Sequence, residues 1–498
     1  MTATFNPTAA LPEGWLALEA SAGTGKTWNI AALTTRYVAE GVAPLDQLLL
    51  VTFTRAATAE LRDRVRRRLV TTRTHLANVQ AGQPTPADDP VADHLADTDQ
   101  DELTARIGRL DAALRNFDAA TITTIHGFCQ RVLAAAGFVG ELDGQAELVE
   151  DIEPTVQAAV HDLLVAQWLE RPAEDHEDRP KPVTAMDAAR AVLSRPHATI
   201  RPGEDDVDPA KGVALAALAR ASAQRVAAQT EAAGIITFDD LLLRLDAALS
   251  HPVAGPAIEA AMRRTFAIGM VDEFQDTDPV QWAILSRLFA DRRLVVIGDP
   301  KQAIYRFRGA DVAAYLDATQ ADGTTQATLG TNHRSDPRLV NAVNKLFEGT
   351  SFGDTRIGFD DVTPRHKTVR LRFGDGERPP MQLRVMPDGA AADPARQMVG
   401  DDLAAELTKL LAEPPTLVED DGTERPLQAG DCAVLVRTNV EADQIKNALV
   451  DAGVHAVVNG VGSVLESDAE QDWRLLLDAL DHPSSPGRVR ALALSPVM

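Results

Sequence analysis

At 498 residues, with 45% hydrophobic and 24% charged content, no apolar run of membrane-spanning length and no basic-then-apolar leader, the chain reads as a cytoplasmic globular protein of two or three domains with no membrane partner. Its two cysteines, Cys129 and Cys432, are too few and too far apart for a disulfide framework or a zinc or iron–sulfur site. The formal net charge of −24 argues globally against a polyanionic partner, but the acidic residues concentrate in a few loops (87–102, 173–179, 203–208, 418–424) while arginines cluster elsewhere, so local distribution decides.

Residues 16–30, LALEASAGTGKTWNI, read as a buried strand, a glycine-rich turn and the first turn of a helix. Residues 20–27 give A-x-x-x-x-G-K-T, which departs from the phosphate-loop pattern only in having Ala20 for Gly. In such a loop Ala20, Ser21, Ala22, Gly23, Thr24 and Gly25 curl their N–H groups toward phosphate oxygens. Lys26 adds charge for the β- and γ-phosphates, the Thr27 hydroxyl is placed for Mg²⁺, and the helix N-terminus favours the anion. The alternative is a strand-to-helix turn that binds nothing.

The helix continues to residue 40, and residues 46–54 form an apolar strand of the kind buried on both faces of a parallel sheet. Residues 56–69 are a basic helix, 82–102 an acidic, Pro-containing surface loop, and 103–116 another helix. ATITTIHGFCQRVLAAAGF (120–138) is strand, turn and helix; 151–233 is an alanine-rich helical insertion. Thr237 caps a helix with Asp240 three residues on, and two strands follow, FAIGMVDEF and RRLVVIGDP. A second α/β region is expected from Ala327, with a strand at CAVLVRTN (432–439) flanked by helices at 395–411 and 440–453. This alternation predicts an α/β fold, with a parallel-sheet motor domain at 1–150 and 234–326 and the helical subdomain at 151–233 inserted in it. A partial second domain follows at 327–464, then the start of a helical insertion at 465–498.

Several polar clusters follow strands. IGMVDEFQD delivers Asp272, suited to Mg²⁺, and Glu273, suited to deprotonate water, a role contributing roughly 10²–10⁴-fold. Gln302 offers an amide that can sense a γ-phosphate, and Arg334 in NHRS can reach one across a cleft. Tyr305, Phe307 and Arg308 interleave aromatics with cations, a pattern for stacking bases, with core packing as the alternative. Phe53, Thr54 and Arg55 in VTFTR, and His126 in TIHGF, place stacking and phosphodiester-contacting groups beside the nucleotide site, although an isolated His126 reads equally as a core histidine.

EASAGTGKT, VTFTRAATAELRDRV, TIHGFCQRVL, FDDLLLRLDAAL, VDEFQDTDPVQW, IGDPKQAIYRFRGAD and TNHRS, in this order from residue 19 to 335, resemble the motifs of UvrD/Rep-type superfamily 1A DNA helicases. EASAGTGKT with TIHGFCQR is most similar to the RecB-type (exodeoxyribonuclease V beta) branch. The resemblance implies a P-loop NTPase with RecA-like motor domains and ATP with Mg²⁺ at Lys26, Thr27, Asp272 and Glu273. It also implies γ-phosphate contacts from Gln302 and Arg334 and an adenine-stacking role for His333, where the family has an aromatic. Phe53, His126, Tyr305, Phe307 and Arg308 fall on motifs lining the single-stranded DNA path or coupling it to ATP. Single-stranded and duplex-end DNA and RecC- and RecD-like subunits are the implied partners.

Three departures accompany the resemblance. No base-reading glutamine precedes the phosphate loop, and neither the family's last two helicase motifs nor a nuclease carboxylate cluster has a counterpart in these residues. The expected function is therefore a 3′→5′ DNA translocase or helicase of double-strand-break repair, here without those last motifs. A non-catalytic ATP- or partner-binding module and a stand-alone UvrD-like repair helicase are the alternatives.

Overall fold

The computed structural model describes residues 3–86, 89–136, 147–149, 152–170, 180–193, 209–304, 312–374, 376, 378–386, 392–458 and 468–495. The chain divides into two compact units, Met1–Lys367 and Thr368–Met498.

The first unit is built on a seven-stranded sheet: β1 (Ala3–Thr4), β2 (Trp15–Glu19), β3 (Leu48–Thr52), β4 (Thr121–Thr124), β5 (Ile268–Val271), β6 (Arg293–Gly298) and β7 (Thr325–Thr328). In space they run β1-β7-β2-β6-β5-β3-β4, and every pairing is parallel. The C-terminal ends of all seven strands therefore share one edge, where ligands of open parallel sheets sit.

Apolar runs rather than alternation mark these strands because helices cover both faces. On one face Leu16, Leu18, Leu48, Leu50, Ile268, Met270, Val295 and Ile297 pack with residues of α1 (Lys26–Ala39), α2 (Arg55–Gln80), α3 (Pro90–Ala96) and α4 (Gln100–Arg115). On the other, Ala17, Leu49, Val51, Val271, Leu294 and Val296 pack with α5 (Ile125–Ala136) and with helices further along the chain. Between the two lie α6 (Glu153–Glu170), α7 (Pro182–Leu193) and α8 (Pro209–Ala232), which bury Val156, Val160, Leu164, Ala185, Ala189, Leu218 and Val226 among themselves. Helices α9 (Phe238–Ser250), α10 (Ala254–Thr265), α11 (Pro279–Leu288) and α12 (Val312–Thr319) complete the second face. The predicted capping box at the start of α9 forms: Asp240 N–H donates to Thr237 Oγ1 at 3.1 Å, and Thr237 N–H donates to Asp240 Oδ2 at 2.8 Å. Helix α13 (Pro337–Phe347) follows the last strand.

Three expectations change. The acidic stretch 82–102 contains α3: Asp89 caps it by accepting from Ala92 N–H at 3.0 Å, Pro90 starts it, and Val91, Ala92 and Leu95 are buried. Residues 327 and 328, expected at the head of a second region, lie in β7 beside β2, and the first compact unit runs on to Lys367. CAVLVRTN forms no strand: residues 432–436 pair with no neighbour and Leu435 is 96% exposed. A strand with apolar side chains on both faces needs layers to cover both of them, and Val434, Leu435 and Val436 are all exposed. That unit instead carries a small antiparallel sheet (Leu371–Arg372, Thr416–Val418, Glu424–Pro426) and α14 (Ala392–Ala412) packed on α15 (Asn439–Asp451), where Ala404, Leu407, Ile445 and Leu449 meet. Helices α16 (Asp468–Asp481) and α17 (Pro486–Ala493) end it, joined by Arg488 to Asp478 at 2.7 Å.

Candidate active site

Two glycines shape the loop after β2. Gly23 (φ +77°) and Gly25 (φ +86°) adopt the left-handed backbone that other L-residues resist, and Gly25 leads into α1 with no side-chain cap on that helix. The first N–H groups of α1 are thus left to an anion. Ala20 needs no such conformation: its φ is not positive, its side chain is fully buried, and its N–H donates to the Gly298 carbonyl at 2.9 Å. A methyl group fits there, which accounts for the departure from the glycine pattern. Thr24 braces the loop, its hydroxyl donating to the Ser21 carbonyl at 2.7 Å.

Lys26 opens α1, and Glu273 follows β5, two strands away in the sheet. They meet: Lys26 Nζ lies 2.7 Å from Glu273 Oε2, with the lysine side chain 11% exposed. Glu273 is the one non-glycine with positive φ (+50°) among the described residues, a conformation costing about 1–2 kcal/mol that turns its carboxylate toward the loop. Asp272, just before it, is buried and accepts from the Glu273 N–H at 3.0 Å. Burial first, and then the neighbouring Glu273 charge, push its carboxyl up to about 6. Asp276 is pushed up to about 6 for the same two reasons.

The turn after β6 adds Asp299, whose carboxylate accepts from Gln302 Nε2 at 2.7 Å and pairs with Lys301 at 2.9 Å. Lys301 in turn bonds Glu19 at the end of β2, at 2.5 Å. NHRS lies directly over the phosphate loop. Asn332 Nδ2 donates to the Ala22 carbonyl at 3.0 Å, His333 N–H donates to the Gly23 carbonyl at 2.8 Å, and a Cβ on Gly23 would stand 2.9 Å from Arg334 Cβ. Burial, with Arg365 and His366 nearby, lowers the His333 pKa, so its ring is neutral at pH 7 and can stack.

Around the ends of β3 and β4 the expected DNA-contacting residues assemble differently. The Thr54 hydroxyl oxygen is engaged as the N-cap of α2, accepting from Ala57 N–H at 3.1 Å. Arg55 and His126 converge on Phe238, the guanidinium 5.9 Å from the ring and the imidazole edge-on at 5.3 Å. Burial lowers the His126 pKa, so contact with nucleic acid would come from stacking rather than charge. Phe53 lines a small pocket with Ile125, Asp272, Glu273 and Thr277, so the aromatic and the carboxylates share a wall. Tyr305, Phe307 and Arg308 lie outside the described residues.

Thus Ser21, Gly23, Lys26, Glu273, His333 and Arg334 come together, while Gln302 joins them through Asp299. Gln275, Asp299, Asn332 and Phe238 were not singled out from the sequence, although each sits in a quoted motif; Gln275 and Asp299 are polar residues just after apolar strands. The donors suit Mg²⁺·ATP. Thr27 and Asp272 are hard oxygen ligands, and no group of three or more His, Cys, Asp or Glu able to hold a metal exists among the described residues. A divalent cation would therefore share its coordination with phosphate oxygens.

This sheet, loop and carboxylate pair are those of a helicase motor, and the chain belongs to the UvrD/REP helicase family: residues 2–322 match the UvrD/REP helicase N-terminal domain. Within it the chain is a homologue of RecB. It is 42% identical over 489 residues to the RecBCD enzyme subunit RecB of Mycolicibacterium smegmatis, covering 97% of this chain and 43% of that protein. Identity is 39% to the Mycobacterium tuberculosis H37Rv subunit (96% and 43% covered) and 30% to the Escherichia coli K12 subunit (99% and 52%). The chain spans about half the length of these relatives.

Proposed function

We propose that this chain is the N-terminal, nucleotide-hydrolysing portion of a RecB-type 3′→5′ DNA translocase acting on duplex ends in double-strand-break repair. Single-stranded DNA, RecC- and RecD-like subunits and a cytoplasmic location belong to the same reading. No helix among the described residues is long and apolar enough to cross a membrane. Residues 151–233 would be the helical insertion of the first motor domain, and the residues after 367 the beginning of a second.

The observation that carries the reading is the Lys26–Glu273 contact at 2.7 Å, which joins the phosphate loop to the carboxylate strand. ATP bound here supplies the phosphoanhydride bond, and Mg²⁺ neutralises phosphate charge. The loop N–H groups and Lys26 bind phosphates, and Thr27 and Asp272 hold the cation. Gln302 and Arg334 contact the γ-phosphate, His333 stacks on the base, and Glu273 accepts the proton of the attacking water. Lys26 must exchange Glu273 for phosphate in that sequence, which frees the carboxylate for the proton. An ATPase assay with and without single-stranded DNA tests this; Lys26→Ala should abolish both nucleotide binding and turnover. Lys26-dependent nucleotide binding without turnover would assign these residues a binding module instead.

A further inference from the structure

Gln275 is 2% exposed, and neither end of its amide is idle. Its Nε2 donates to Glu273 Oε2 at 2.8 Å, the same oxygen that Lys26 holds, and its Oε1 accepts from the Asp299 N–H at 2.9 Å. Asp299 in turn accepts from Gln302 Nε2. A continuous path thus runs Lys26–Glu273–Gln275–Asp299–Gln302, from the end of β5 to the turn after β6.

A second observation makes the same path from the backbone side. A Cβ on Gly298 would come within 2.7 Å of Gln275 Oε1 and 3.1 Å of its backbone nitrogen. The Gly298 φ is not left-handed, so its conformation does not call for glycine. The close seat of the Gln275 amide, together with the Tyr315 ring at 3.1 Å, does.

We infer that Gln275 is a positioning residue: its amide fixes Glu273 relative to Asp299 and Gln302, so that the proton-accepting carboxylate and the phosphate-sensing amide respond to one another. When Lys26 turns to a phosphate, Glu273 loses one of its two donors. Gln275 is the partner that remains, and it holds the carboxylate in register with the Gln302 turn. The donor is a neutral amide, so this contact brings no further charge beside the carboxylate. This inference rests on the nucleotide-site reading above.

The test is a cycle of nucleotide affinities in the 498-residue chain, read with a fluorescent ATP analogue and Mg²⁺, so that no turnover is needed. Glu273→Gln and Gln302→Ala are combined singly and together, first with Gln275 present and then in a Gln275→Met background, where size is kept and both hydrogen bonds are lost. With Gln275 the two effects should be non-additive by about three-fold or more in affinity, and in the Met background they should multiply simply. Gly298→Ala, which displaces the amide without removing it, should weaken the non-additivity as well. Thermal unfolding of each variant is the control for folding. Effects that are already additive with Gln275, non-additivity that survives Gln275→Met, or a Met variant whose unfolding temperature and affinity simply fall together would each overturn the inference. In a chain that binds nucleotide in a Lys26-dependent way those results leave the nucleotide site standing; absence of binding in the parent chain would remove both.

Discussion

Asp272 is held as an anion against its surroundings. With a pKa near 3.8 unfolded and about 6 folded, the native state binds more protons than the unfolded chain between those values. Its ionisation therefore erodes stability as pH rises from about 4 to 6, and the full cost persists above that range. Asp272→Asn, which keeps an oxygen to accept the Glu273 N–H, should raise stability at pH 8 by roughly 1–3 kcal/mol and abolish Mg²⁺-dependent hydrolysis. At pH 4 the stabilisation should vanish. Thermal unfolding at the two pH values checks this, and an Asn variant less stable at pH 8 would contradict it. The phosphate loop gives a paired prediction. Ala20→Gly restores the consensus but should leave nucleotide affinity unchanged and cost about 0.5–1 kcal/mol in backbone freedom. Gly23→Ala should cost about 1–2 kcal/mol and lose nucleotide binding, because the left-handed φ and the Arg334 Cβ both oppose a side chain. The places of Gly23 in the turn and of Asp272 after its strand were legible in sequence, because residue type dictates them; the buried seat of Gln275 was not, because it depends on which strands become neighbours.

At the scale of elements, α3 shows how composition can mislead. Its sequence is acidic and starts at a proline, which reads as loop, yet Asp89 both caps the helix and accepts two hydrogen bonds from Arg68 at 2.7 and 2.8 Å. Arg68 is nearly buried and also lies 5.0 Å from the Trp28 ring. Asp89→Ala should therefore cost about 2–4 kcal/mol in urea unfolding, more than a cap alone, because it leaves a buried guanidinium without its carboxylate. Asp89→Asn should recover the capping part only. Equal losses in the two variants would show that the cap contributes nothing. The cap-and-proline signal was present in the sequence, but the bonding of Arg68 across 21 residues was not. The strand predicted at 432–439 failed for the opposite reason. Its apolar pattern was correct as a local signal, but strands exist only in pairs, and pairing is a property of the unit rather than of the segment.

Across the whole molecule, the parallel sheet of the first unit was the most legible feature, because uninterrupted apolar runs such as Leu48–Thr52 admit little besides strands covered on both faces. Where the unit ends was not legible, since β7 is short and polar and takes its place in the sheet from its neighbours β1 and β2 rather than from its own pattern. Net charge is a second whole-molecule quantity. At −24, the proposed DNA contact would rest on local cations such as Arg55 against a repulsive background, so affinity for single-stranded oligonucleotides should fall steeply with salt. Titrations between 50 and 200 mM salt check this, and an affinity indifferent to salt would count against a phosphate-contacting surface. The central claim is that the Lys26–Glu273 contact marks an ATP-hydrolysing site coupled to DNA. Steady-state ATP hydrolysis by the chain and by its Lys26→Ala variant, with and without single-stranded DNA, tests it most directly. Single-stranded DNA should stimulate hydrolysis by the chain, and the Lys26→Ala variant should show none. Hydrolysis undiminished by Lys26→Ala would contradict it.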